Sequence, residues 1–212
     1  MRNKNDVARI IGVVMNFLPA YQIKGETMRQ MIVSIARESG VNDDIPVTLP
    51  ARVYSDTIFS GDRLMIEGSL RSHNNNGKLI LTIFAESAFN CNDKAVKNLN
   101  FNYVRLDGFI CKKPVYRKTP LGRDITDVMV AVNHGYNKSS YIPTIVWGRN
   151  AKYASELDIG THIIVEGRFQ SREYKKHLSD GEYENRVAYE LSASSIEEVQ
   201  DDDREENNYV EQ

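Results

Sequence analysis

Apolar and polar positions change rhythm several times along the chain, most sharply over residues 141–174, YIPTIVWGRNAKYASELDIGTHIIVEGRFQSREY. An apolar run over 142–147 stops at Gly148, and a helical pattern covers 150–157. After Gly160 a second apolar run, 163–165, passes through Glu166 and Gly167 into RFQSREY. A run that is first continuously apolar and then alternates predicts a strand that leaves a small barrel's core as an exposed hairpin. Arginines and aromatics share the exposed positions of that hairpin, the composition of a surface that stacks bases and holds phosphates.

The same rhythm occurs twice. GDRLMIEGSLRS over 61–72 matches GTHIIVEGRFQS over 160–171 at an offset of 99. Upstream, residues 31–36 match 128–133 and Ile45-Pro46 match Ile142-Pro143 at 97, and residues 10–14 answer 106–110 at 96. A repeat of this length predicts two full domains rather than a solenoid. The expected fold is all-β with a short helix per barrel. Two tandem OB-fold barrels are placed at 1–95 and 100–197, with a linker at 96–99 and a tail at 198–212. One local signal competes: Met28, Met31, Ile32 and Ile35 fall at helical spacing. The repeat places a strand there, and the poor alternation over 31–36 suits a buried barrel strand. Gly12, Gly68, Gly108 and Gly167 fall inside strand patterns, where a small barrel bends or bulges; close approach of a nucleic-acid backbone is the rival reading.

Composition adds limits. The 212 residues suit two domains of about 100 residues each, and no apolar run approaches the roughly 20 residues needed to span a bilayer. The N-terminal segment has no signal-peptide pattern, so a cytoplasmic, nucleoid-associated protein is expected. Cys91 and Cys111 read as small apolar fillers, and His73, His134, His162 and His177 lack ligand spacing. No nucleophile–base constellation, H-E-x-x-H motif or P-loop is present. An enzyme is therefore not expected, nor is a metal or cofactor. The net charge is −2, but the run from Glu197 onward carries −7, which leaves +5 on the rest.

The residues 141–174 resemble the bacterial single-stranded-DNA-binding protein family, whose OB-fold domains carry segments of the type YIPxxxWG, then a helix, then VEGRxQSRxY. The likeness extends over 103–199, where YVRLDGFICKKPVYRKTPLGRDITDVMVAVNHGY matches the family's opening strands and its P-x-x-R-x-T-x-x-G turn. The resemblance implies non-sequence-specific binding of single-stranded DNA in replication, recombination or repair. It puts Tyr136, Tyr141, Trp147 and Tyr174 where the family carries its base-stacking rings. Trp147 also follows an apolar run and could belong to the core. Arg117, Arg123, Arg149, Arg168, Arg172 and Lys175 neighbour these rings or lie in matched motifs, and are the expected phosphate contacts. Tyr116, Tyr153, Tyr183 and Tyr189 read as packing residues, with Tyr116, beside Arg117, a weaker stacking candidate.

In the first half, the positions equivalent to the four rings are Ser39, Asp44, Pro50 and Asn75, none aromatic. This barrel is expected to keep the architecture without the stacking sites. It would mainly complete the assembly, or bind weakly through Phe17, Tyr21, Tyr54 and Arg71. Family members place four OB folds around DNA, so a two-barrel chain implies a homodimer. The acidic tail lacks the apolar content to fold. In the family such a tail recruits replication and repair proteins through an apolar tip; Tyr209 and Val210 stand near that position here, without the usual terminal Pro-Phe. The alternative reading is an OB-fold protein-interaction or primosome-type module with weak nucleic-acid binding.

Overall fold

Turn residues and alternation divide the chain into eleven strands and one helix among the residues that the computed structural model describes: 5–54, 57–91, 99–135, 138–177 and 181–200. The first half holds β1 (Asp6–Ile23), β2 (Glu26–Ala36), β3 (Asn42–Pro50), β4 (Arg63–Asn75) and β5 (Lys78–Asn90). The second holds β6 (Phe101–Ile110), β7 (Val115–Lys118), β8 (Asp124–Asn133), β9 (Ser139–Trp147), α1 (Arg149–Glu156), β10 (His162–His177) and β11 (Tyr183–Glu198). The competing helix over 28–35 does not form; β2 occupies it and buries Met31, Val33 and Ile35.

Each half closes on itself. In the first, the order β2-β3-β5-β4-β1 is sealed by β1 pairing with β2. In the second, β6-β10-β11-β9-β8 is sealed by β8 pairing with β6, and β7 adds to β8. β3 joins β5 in parallel, as β9 joins β11, and the remaining pairs are antiparallel. These are two OB-fold barrels in tandem. The long β1 does alone what β6 and β7 share. Pro114, which has no N–H to donate, lies in the gap between them.

Fully buried Ile10, Met31, Ile45, Leu64, Leu70 and Ile83 fill the first barrel, and Leu106, Val130, Ile142, Val165, Phe169 and Leu191 the second. Burying each such side chain contributes roughly 1.5–3 kcal/mol.

The expectation of one short helix per barrel holds only in the second. There, Ala151 and Ala154 are buried, and the Thr126 hydroxyl donates to the Ala151 carbonyl at 2.7 Å. The first barrel has a turn at Ala51–Val53, held by bonds from Val53 N and Tyr54 N to the Pro50 carbonyl, and no helix among its described residues. Its connection is two residues shorter, as the change of offset from 97 to 99 requires. It also carries β-branched Val53, Thr57 and Ile58. Ile58, equivalent to Leu157, is buried in the barrel without a helix to carry it.

The barrels meet through antiparallel β1 and β6, in which Ala8 pairs with Val104. These two residues are equivalents at the offset of 96, so a local two-fold axis passes between them. Two further seams flank it. In one, Ser171 N donates to Asp43 Oδ1 at 3.1 Å and Asp44 N to Ser171 Oγ at 3.0 Å. In the other, Ser72 N donates to Ser140 Oγ at 3.0 Å and Tyr141 N to Ser72 Oγ at 2.7 Å. The residues correspond one for one, so the chain folds like a two-fold dimer whose subunits have been joined.

The acidic run begins inside the fold. Glu197 and Glu198 pair with Ile164 and Ile163 of β10, so β11 takes up the first residue assigned to the tail. The rest of the run, with Tyr209 and Val210, and most of the 96–99 linker lie outside the described residues.

Candidate nucleic-acid interface

Alternation along β9 turns Ile142, Thr144 and Val146 into the core and Tyr141, Pro143, Ile145 and Trp147 the other way. Trp147 is half-buried. Its indole Nε1 donates to Ser192 Oγ at 3.1 Å across to β11, which fixes the ring plane. It lines an open groove of about 1230 Å³. The walls come from the β7–β8 region (Arg117, Arg123), from β10 (Arg168, Arg172) and from β11 (Tyr189). Five of the ten expected contact residues are thus gathered: Trp147, Arg117, Arg123, Arg168 and Arg172.

Most of these arginines already face a carboxylate. Arg117 Nε donates to Asp127 Oδ2 at 2.6 Å, and this bond pushes its pKa further up. Arg172 Nε donates to Glu190 Oε1 at 3.2 Å, and Gln170 Nε2 shares the same oxygen at 2.8 Å. Arg168 is more confined. Its Nε is buried, stands 3.9 Å from Asp43 Oδ2, too far for a hydrogen bond, and has no hydrogen-bond partner among the described residues. Burial, and then neighbouring Arg37, pull its pKa down. Arg123 is exposed with no acidic partner among the described residues.

The other expected residues lie elsewhere. Tyr141, 50% exposed, is on the same side of β9 as Trp147 but roughly 20 Å along the strand, beside Ser72 of the first barrel. Tyr174 and Lys175 ride on the exposed β10–β11 hairpin, where the Arg172 guanidinium sits 5.8 Å from the Tyr174 ring centre. Arg149 opens α1, exposed and off the groove. Tyr136 lies outside the described residues.

Three tyrosines read as packing residues are exposed, among them Tyr116, whose hydroxyl donates to Asp124 Oδ1 at 2.6 Å. Tyr183, 66% exposed, meets His177 edge-on at the hairpin end, and Tyr153 stands out from α1. Tyr189 does both jobs, resting 6.0 Å from Phe169 and lining the groove. In the first barrel, Tyr54 packs edge-on against Phe17 with the Arg29 guanidinium 4.0 Å over its ring. The Arg29 cation already covers one face of that ring.

Sequence reasoning missed Arg37, Val41, Asn42 and Asp44, first-barrel residues that also line the groove. The signal was the repeat itself: Asp44 is the equivalent of Tyr141, and the two-fold relation carries it to the opposite seam, beside Ser171. Among the described residues, no group of His, Cys, Asp and Glu could hold a metal ion, and no helix is long and apolar enough to cross a membrane.

Fold and groove together define a tandem OB-fold protein with an aromatic, arginine-rich cleft on its second barrel. Residues 101–199, the second barrel and just under half of the chain, match the model of the single-strand binding protein family. The chain is 34% identical over 83 residues to single-stranded DNA-binding protein 2 of Streptococcus agalactiae serotype III, a match over 36% of this chain and 63% of that one. It is 35% identical over 81 residues to the single-stranded DNA-binding protein of Clostridium tetani, over 35% and 56% of the two chains. The match spans less than two thirds of either relative. The crystal structure of the wild-type single-stranded DNA binding protein from Thermus aquaticus has the same fold, with a TM-score of 0.71 at 20% identity over 92% of this chain and 93% of that one.

Proposed function

We propose that the protein binds single-stranded DNA without reading its sequence, as a binding protein rather than an enzyme. The observation that carries this reading is the groove, where the Trp147 ring sits among Arg117, Arg123, Arg168 and Arg172. A flat ring stacks on any unpaired base, and guanidiniums hold phosphates. Tyr141 and Tyr174 extend the stacking surface, and Tyr136 completes the family's set. Arg149 and Lys175 add phosphate contacts at its margins. The names of the relatives support the same ligand, and DNA replication, recombination and repair are the processes in which such a protein serves.

Trp147 is the only tryptophan, so its fluorescence reports on this groove alone. Oligo-dT titration is expected to quench it, with affinity falling steeply as salt rises. Trp147→Ala should lose roughly 1–3 kcal/mol, or about 5- to 150-fold in affinity. Preference for duplex or folded RNA over poly-dT, or an unmoved Trp147 signal on saturation, would overturn the reading.

The assembly we propose is a homodimer that presents four barrels. Phe101, Ile11, Met65 and Phe89 are register neighbours across β6, β1, β4 and β5, and form an apolar row on the outer face of the sheet. Phe101, Met65 and Phe89 are each at least 40% exposed. Beside the row, Arg9 and Glu67 form an ion pair at 3.0 Å, mixed charges that suit a two-fold mate. Light scattering should give twice the chain mass, and Met65→Glu with Phe89→Glu should halve it. A monomeric wild-type chain at micromolar concentration would refute this. The acidic tail, with Tyr209 and Val210 near its end, is the proposed attachment point for replication or repair proteins.

A further inference from the structure

The internal two-fold gives each barrel–barrel seam a built-in control. At one seam stand Arg37, Asp43 and Ser171; their equivalents at the other are His134, Ser140 and Ser72. The backbone bonds across the two seams are the same, as described above. At the second seam, neutral Ser140 accepts the bond from Ser72 N and meets His134 Nε2 at 2.8 Å. Burial, and then Arg71, hold the His134 pKa down at about 4, so that seam carries no ionised pair near neutral pH. Holding the barrels together therefore does not require charge.

The first seam is charged nonetheless. Asp43, 1% exposed, takes two bonds from the Arg37 guanidinium, one of them from Nε at 2.8 Å. Arg37 Nη2 also donates to the Ser171 carbonyl at 3.3 Å. Arg168, whose equivalent in the first barrel is Ser69, adds a second guanidinium beside the same carboxylate. Arg37 and Arg168 thus share the buried Asp43 where the seam opens into the groove, and both guanidiniums line that groove, with the acids Asp44 and Glu190 also in its wall. No expected stacking residue lies in the first barrel, yet this barrel supplies part of the wall.

We infer that Arg37 is a phosphate contact lent by the first barrel to the second barrel's groove, with Asp43 as the positioning residue that holds it at the edge beside Arg168. This rests on the reading of the groove as a single-stranded-DNA site. The bound strand then crosses the seam at Ser171, and the first barrel takes part in binding without stacking rings of its own.

The test is the salt dependence of oligo-dT binding to the full chain, read by Trp147 fluorescence. Arg37→Ala should weaken binding about tenfold at low salt and reduce the log–log salt slope by about 0.7, the value for one contact to a single strand. Arg37→Lys should restore the slope, because it keeps the charge. His134→Ala, at the mirror seam, should leave the slope unchanged. Arg37→Ala leaves a buried acid without its main partner, so Arg37→Ala/Asp43→Asn is the companion variant; it should melt like the wild type and show the same slope loss. An unchanged slope in either folded variant would overturn the inference, as would failure of the double variant to fold, since the seam's charges would then be structural. A wild-type chain that does not bind oligo-dT would instead defeat the functional reading beneath it.

Discussion

Asp6→Asn should stabilise the protein at pH 8 and leave it nearly unchanged near pH 4. Asp6 lies on β1 where the barrels join, and its Oδ1 accepts a bond from Leu70 N at 3.0 Å. Its Oδ2 is buried with no partner among the described residues. The equivalent residue in the second barrel is Asn102, whose Oδ1 accepts from Phe169 N at 3.0 Å while its Nδ2 donates to the Phe169 carbonyl at 2.8 Å. Phe169 is the equivalent of Leu70, so the two sites are built alike. Asp6 can give back the second bond only as a protonated acid. Burial drives its pKa up to about 7, against smaller lowering effects from the Leu70 N–H and Arg71, while Glu86 pushes it up slightly further. The sign follows from linkage. The folded chain holds this proton over a range where the unfolded chain has released it, so the Asp6 contribution falls as pH rises from about 4 to about 7 and then levels off. Three pK units correspond to roughly 4 kcal/mol at full ionisation, or on the order of 10 °C in melting temperature. Melting curves of the wild type and Asp6→Asn from pH 4 to 8.5 should diverge with pH. Parallel curves would mean that the buried carboxyl does not titrate in this range.

That comparison of Asp6 with Asn102 was open to a reader of the sequence, because the offset of 96 already equated β1 with β6. What the sequence could not give was the consequence of the local two-fold. Pairing Ala8 with its own equivalent Val104 swings each barrel's β3 or β9 against the other's β10 or β4. Residues far apart along the chain, Asp43 and Ser171, then touch. The repeat was also invisible over the last strands. β5 and β11 correspond at an offset of 108, because the β10–β11 hairpin continues to His177 and Tyr183 while β4–β5 stops at Asn75 and Lys78. The added residues make the exposed hairpin of the second barrel, with Tyr174 and Lys175 on it. The basic residues were legible as charges but not as pairs. Arg117 and Asp127 meet only once the turn between β7 and β8 brings them side by side. The strand over 26–36 was readable against its helical spacing because the second copy of the unit arbitrated. The missing helix of the first barrel was not, since tertiary packing of Ile58 does the work that α1 does elsewhere.

Gly167→Ala should cost roughly 3 kcal/mol or more, and the reason lies in the ladder itself. Between Glu166 and Gly167 the pairing of β10 with β11 slips by one, leaving Ser194 as an extra residue of β11; its hydroxyl donates to the Glu166 carbonyl at 3.1 Å. The slip switches which residues of β11 face inward, from Ile196 on one side to Ala193 and Leu191 on the other. The turned backbone comes so close that a Cβ on Gly167 would lie 2.1 Å from the Ser192 carbonyl oxygen. Gly68 has the same 2.1 Å approach to the Phe84 carbonyl at the matching slip in β4 and β5. The space is closed by the protein's own strands, so a bend in a small barrel, rather than the approach of nucleic acid, explains these glycines. A carbonyl in a paired strand cannot move aside as a flexible side chain can, so the bulge must open. Gly167→Ala and Gly68→Ala should both lower the melting temperature substantially, but only Gly167→Ala should disturb the groove. Ser192, which holds the Trp147 indole, is the residue displaced, so a red shift and weakened oligo-dT quenching are expected from Gly167→Ala and not from Gly68→Ala. Equal Trp147 spectra in the two variants would disconnect the bulge from the groove.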